Sequence, residues 1–137
     1  MSLSSQSVST TGPRRLLLDS HVFLWLDQGY ARLSETLVKE IETCPEVYVS
    51  AMSVAEISIK QSIGKLSPGR PASAIIRLKN LIELPVTVRH GEELAALPMH
   101  HKDPFDRLLL AQAKVEGLVL VTGDEMLLRY NVPILLV

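Results

Sequence analysis

From residue 15 onward the chain alternates short apolar runs with segments of helical periodicity, and that alternation constrains the fold more than any other feature. Arg15–Leu18 is a run that ends at Asp19. Val47–Ser50, Val86–Val88, Leu118–Val121 and Pro133–Val137 read as further strands. Between them, Val22, Leu24, Trp25 and Leu26 make a helical face that stops near Gly29. Ser34 caps a helix with Leu37 and Ile41 on its apolar side. Ser53-Val54-Ala55-Glu56 opens a helix running toward Gly64, and Ala74, Ile75, Leu78, Leu81 and Ile82 recur at helical spacing. Glu92–Leu97 is a short helix halted by Pro98. Asp103-Pro104 starts a helix that Gly117 closes, and Gly123-Asp124 begins another. Strands alternating with helices build a parallel sheet with helices on both faces.

The 137 residues suit one domain, and 47% hydrophobic residues are enough for a core without disulfide staples. The 14 Lys and Arg against 15 Asp and Glu exclude nucleic-acid binding by bulk charge alone. Cys44 is the only cysteine, so no intrachain disulfide forms. No apolar run is long enough for a membrane span, and a cytoplasmic location is expected. Residues 1–14 are rich in Ser and Thr and lack an apolar core, so they read as a disordered leader or cloning-derived residues, with the domain at 15–137.

The carboxylates fall at informative places on this scheme. Asp19 ends the first strand, and Glu56 sits in the first turn of the helix after the second. Asp103 and Asp106 open the helix before Leu118–Val121, and Asp124 follows that strand. Right-handed crossovers bring strand C-terminal ends and the next helix N-termini to one edge, where ligands bind in open α/β sheets. Each acid also has an ordinary structural account. Asp19, Asp103 and Asp124 can cap helices, Ser53 with Glu56 has the capping-box spacing, and Asp106 can oppose a helix dipole. Convergence is what a capping account does not supply. Two carboxylates about 4 Å apart repel by about 4 kcal/mol at an effective dielectric of about 20. A hard divalent cation with oxygen ligands removes that repulsion. No Cys/His spacing suits zinc, and His21, His90, His100 and His101 are expected on the surface or in loops.

Four segments, LLLDSHVFLW (16–25), SVAEISIKQSIGKL (53–66), HKDPFDRLLLAQA (101–113) and LVTGDEML (120–127), resemble the signature segments of PIN-domain ribonucleases, especially VapC-type toxins of bacterial toxin–antitoxin pairs. The likeness covers residues 15–137 in order. It implies a three-layer α/β/α sandwich on a mainly parallel four- or five-stranded sheet. It also implies that Asp19, Glu56, Asp106 and Asp124 are catalytic metal-binding acids, with Asp103 a supporting one. Ser20, Ser53 and Thr122 match positions that often carry a hydroxyl near metal or phosphate, with capping an equal account of each. One or two Mg²⁺ or Mn²⁺ ions, an RNA substrate, a cognate antitoxin and a homodimer follow from the same resemblance.

The expected chemistry is hydrolysis of RNA phosphodiester bonds. Lys60, Lys65, Arg70, Arg77, Lys79, Lys102 and Arg107 are candidates for a basic rim, with Lys60 and Arg107 the expected substrate contacts. Lys60 also stands one helical turn from Glu56 and can pair with it. Three other readings compete. A phosphoacceptor receiver-like domain would need a lysine after a late strand, and none follows Asp124. A catalytically silent metal- or partner-binding module would not need all four acids. A nuclease of the same fold could act in RNA processing, or on DNA, outside a toxin–antitoxin pair.

Overall fold

The computed structural model describes residues 2–3, 14–29 and 33–137. Its strands are β1 (Ser2–Leu3), β2 (Arg15–Leu18), β3 (Glu46–Ser50), β4 (Ile82–Leu84), β5 (Val119–Thr122) and β6 (Ile134–Leu136). Its α-helices are α1 (Ser20–Gln28), α2 (Glu35–Thr43), α3 (Ala51–Ser62), α4 (Ala72–Leu78), α5 (Val88–Glu93) and α6 (Pro104–Glu116). Two 3₁₀ turns, Leu94–Ala96 and Glu125–Arg129, complete the set.

The sheet order is β1-β6-β5-β2-β3-β4. β2 to β6 are parallel, and β1 runs antiparallel along β6. Apart from Ser2 and Leu3, and Arg14 where the description resumes, the expected leader lies outside the described residues.

Strand alternation divides the core into two. Leu16, Leu18, Val47, Val49, Val119, Val121 and Leu135 point to one face, where Phe23, Leu26, Leu37, Ile41, Ile57 and Ile75 of α1–α4 cover them. Leu17, Leu120 and Ile134 point to the other, against Leu109, Leu110 and Ala113 of α6 and Leu127. The period-two pattern on strands buried on both sides gives the three-layer sandwich. Each fully buried Leu or Phe contributes about 1.5–3 kcal/mol.

Element boundaries follow local chemistry. Asp19 caps α1 and Gly29 ends it at φ 68°. Ser34 caps α2, with Leu37 and Ile41 buried. The expected strand at 86–88 is instead one turn earlier, at Ile82–Leu84. Asn80 adopts φ 56°, which stops α4 before Leu81 and Ile82 can join it. Thr87 then caps α5, accepting from His90 N, so the β-branched Val86-Thr87-Val88 run is a helix entry. The helix expected at Glu92–Leu97 therefore begins at Val88 and finishes as a 3₁₀ turn.

His90 is a further correction. It is fully buried, not at the surface. Its Nδ1 accepts from Thr87 N at 3.0 Å, and its Nε2 meets Glu116 at 2.7 Å. Among the described residues no helix is long and apolar enough to cross a membrane.

The chain lays β3 and β4 to one side of β2, then returns to lay β5 and β6 on the other. The order reverses between β2 and β5, whose C-terminal ends carry Asp19 and Asp124. Parallel sheets open a crevice at such a point.

Candidate active site

Asp19 leaves β2 through a backbone bond from its N–H to Val121 O at 3.0 Å. Its Oδ1 accepts from Val22 N at 2.8 Å as the α1 cap. Its Oδ2 accepts from the Thr122 hydroxyl at 2.5 Å. Burial pushes the carboxyl above the usual aspartate range, and the Thr122 bond opposes that rise.

Glu56 lies in the second turn of α3, not the first. Ser50 is the cap, donating no role to Ser53, whose hydroxyl is buried without a hydrogen-bond partner among the described residues. Glu56 is thereby released from capping. Its Oε1 accepts from Ser20 Oγ at 2.7 Å and its Oε2 from Lys60 Nζ at 3.0 Å. The expected Glu56–Lys60 pair is present.

Asp103 caps α6, accepting from Phe105 N at 2.9 Å, with Pro104 in the first turn. Asp106, three positions on, is pushed up to about 7. Burial is the largest cause, Asp103's charge the next, and Asp19 and Asp124 add to it, while His101 acts the other way. Asp124 caps the 3₁₀ turn, accepting from Met126 N at 2.9 Å, and its own N–H donates to Thr122 Oγ1 at 3.1 Å.

These acids share one space. Asp19, Glu56, Asp103, Asp106 and Asp124, with Ser20, His21, Trp25, Lys60 and Gly123, line a hollow of about 350 Å³ at the switch point. Thr122 does not line it, yet its hydroxyl ties together the two acids at the ends of β2 and β5.

Two expectations about basic residues change. Arg107 is buried and donates to the carbonyls of Pro98 at 2.9 Å and Leu94 at 3.2 Å and to the Tyr130 hydroxyl at 3.3 Å. It holds the segment before α6 in place and is not among the residues lining the hollow. Arg70 pairs with Asp27. Lys60 is the one lysine or arginine lining the hollow among the described residues.

His101, expected in a solvent-facing loop, belongs to the site. Asp103 N–H donates to its Nδ1 at 3.1 Å, which leaves the ring proton on Nε2. Nε2 then reaches Asp124 Oδ2 at 3.1 Å and Asp106 Oδ2 at 3.2 Å. The ligand atoms of the three residues lie within 4.8 Å of one another. His101 thus bridges two carboxylates as a donor. Its signal in sequence was its position two residues before a capping aspartate.

A comparison with protein families matches the PIN domain model over residues 16–133. The chain belongs to the PIN domain family. A curated relative described as "Ribonuclease VapC22", from Mycobacterium tuberculosis, is 30% identical over 121 residues, covering 86% of this chain and 93% of that one. The PIN fold recurs in solved structures of lower identity. A VapBC2 structure from Rickettsia felis, bound to a promoter DNA fragment, aligns with TM-score 0.65 at 14% identity, over 85% of this chain and 92% of that one. A toxin–antitoxin complex from Klebsiella pneumoniae aligns with TM-score 0.57 at 18% identity, over 80% and 86%.

A divalent ion fits this PIN domain by the chemistry of its donors. The hollow offers carboxylate oxygens from several elements, and Asp106 holds its proton up to about pH 7 because it is buried, with the charges of Asp103, Asp19 and Asp124 adding to the effect. The His101 Nε2 that faces Asp106 and Asp124 stands as a donor, because its Nδ1 accepts from Asp103 N–H. An oxygen donor set suits a hard divalent ion. Asp19, Asp106 and Asp124 would hold the ion, with Glu56 and Asp103 beside them.

Proposed function

We propose that this PIN domain is a ribonuclease that hydrolyses RNA phosphodiester bonds with one or two Mg²⁺ or Mn²⁺ ions, as the toxin of a bacterial toxin–antitoxin pair. The observation that carries the reading is the convergence of Asp19, Glu56, Asp103, Asp106 and Asp124 on one hollow at the reversal of strand order. The relative described as a ribonuclease and the solved toxin–antitoxin complexes support it.

When bound, the divalent ion supplies charge neutralisation at the phosphate and a more acidic water. The protein's part is positioning and electrostatics. Asp19 is fixed by two donors, Val22 N on Oδ1 and Thr122 Oγ1 on Oδ2, which hold its carboxylate in one orientation at the hollow. Glu56 is held in place by Ser20 on one oxygen and Lys60 on the other. Asp19 and Asp106, both pushed up chiefly by burial, are carboxylates that a cation would relieve. Lys60, partly exposed at the mouth, is the side chain to meet a substrate phosphate.

A cognate antitoxin, a homodimer and a cytoplasmic setting belong to the same proposal. Exposed Val88 and Met99 offer apolar area for self-association. The test is cleavage of a mixed RNA pool in Mg²⁺, with and without EDTA, by wild type and Asp19→Asn. Wild type cuts only with the metal and the variant does not; equal cutting by both would refute the assignment.

A further inference from the structure

The hollow is poor in positive charge. It gathers five acids against Lys60, whose ammonium is already bonded to Glu56. A polynucleotide needs another source of affinity there. His21 and Trp25 supply the aromatic rings among the described lining residues. They stand four positions apart on α1, hence on one face one turn apart. Their centroids are 5.9 Å apart and their planes inclined at 39°. His21 is exposed and Trp25 half-buried, its inner side packed on the core.

The ring of Trp25 also reaches the loop that carries Asp124. A Cβ placed on Gly123 would lie 3.6 Å from Trp25 Cη2 and Cζ3. The aromatic pair therefore spans from His21, two residues after Asp19, to the loop at Gly123, the residue before Asp124. Single-stranded RNA is recognised chiefly by stacking splayed bases on Trp, Tyr, Phe or His rings. Stacking carries no charge, so it works where the acids forbid a basic groove.

We propose that His21 and Trp25 form a nucleobase platform that seats a base of single-stranded RNA next to the phosphate held at the acids. The proposal rests on the ribonuclease reading and deepens it by naming what holds the substrate. It makes the enzyme act on unpaired RNA, since a base within a duplex cannot lie on the pair.

Trp25 is the chain's only tryptophan, so its fluorescence reports this site alone. The experiment titrates full-length Asp19→Asn in Mg²⁺ with a short single-stranded RNA, with the same backbone bearing abasic sugars, and with pyrophosphate. The intact RNA quenches saturably; the abasic backbone and pyrophosphate do not. His21→Ala, a surface change, weakens binding of labelled RNA about fivefold, and Trp25→Leu weakens it roughly tenfold or more, while Trp25→Phe restores most of it. Equal quenching by intact and abasic strands, or unchanged RNA affinity in folded Trp25→Leu and His21→Ala, overturns the platform. Metal-dependent cutting by wild type without base-dependent quenching overturns the platform and leaves the nuclease standing. Base-dependent quenching in a wild type that cuts no RNA supports the platform and removes the nuclease.

Discussion

The hydroxyl of Thr122 donates to Asp19 Oδ2 at 2.5 Å across 103 positions of sequence. Thr122 Oγ1 in turn accepts from the backbone N–H of Asp124. One small side chain at the end of β5 therefore holds the Asp19 carboxylate and the backbone that enters Asp124.

Thr122→Val keeps the shape and removes both roles of that hydroxyl. The Asp19 carboxyl loses the interaction that most opposes its upward shift. Mg²⁺ affinity, read from the metal dependence of RNA cutting, falls roughly tenfold or more, as when an outer partner of a ligand is removed. Thr122→Ser recovers it. An unchanged metal dependence would separate Thr122 from the site.

Asp19 and Asp106 both bind protons more tightly in the folded chain than an ordinary aspartate does, Asp106 to about 7. Between the usual aspartate range and about pH 7, the folded state holds more protons than the unfolded one. This contribution to stability is present at low pH and is lost as pH rises through that window. In EDTA, the melting temperature of wild type minus that of Asp106→Asn becomes more negative between about pH 5 and about pH 8. Mg²⁺ stabilises wild type more at the higher pH. A difference independent of pH would contradict the electrostatic picture.

Arg107→Ala removes a buried donor from the carbonyls of Pro98 and Leu94 and from the Tyr130 hydroxyl. The expected loss is about 2–4 kcal/mol in denaturant unfolding. If Arg107 instead served the substrate, stability would hold and only KM would rise.

His101→Ala removes the N–H shared by Asp106 and Asp124. The metal-free protein is destabilised and the thermal shift on adding Mg²⁺ grows, because the ion then relieves more repulsion. A smaller shift would make His101 a metal ligand.

The sheet was legible because every parallel strand except β4 is a dense apolar run, and a strand buried on both faces cannot look otherwise. β4 was misplaced because Ile82 and Glu83 are exposed and carry little core signal. Val86-Thr87-Val88 imitated it, though Thr87 was there to cap. Asp19, Asp103 and Asp124 serve as caps and also line the hollow, so capping and convergence were never alternatives at those positions. Glu56 differs, because Ser50 took the capping role. Arg107 and His101 were illegible for a common reason. Each bonds to partners set by loop geometry, the carbonyls before α6 for one and two carboxylates from separate elements for the other. No periodicity encodes such contacts.

The most direct measurement is anomalous scattering from crystals soaked in Mn²⁺. The account predicts a peak in the hollow bonded to carboxylate oxygens of Asp19, Asp106 and Asp124, weakened in Asp19→Asn crystals. No peak there, or a peak held by His101 without Asp19, would contradict it.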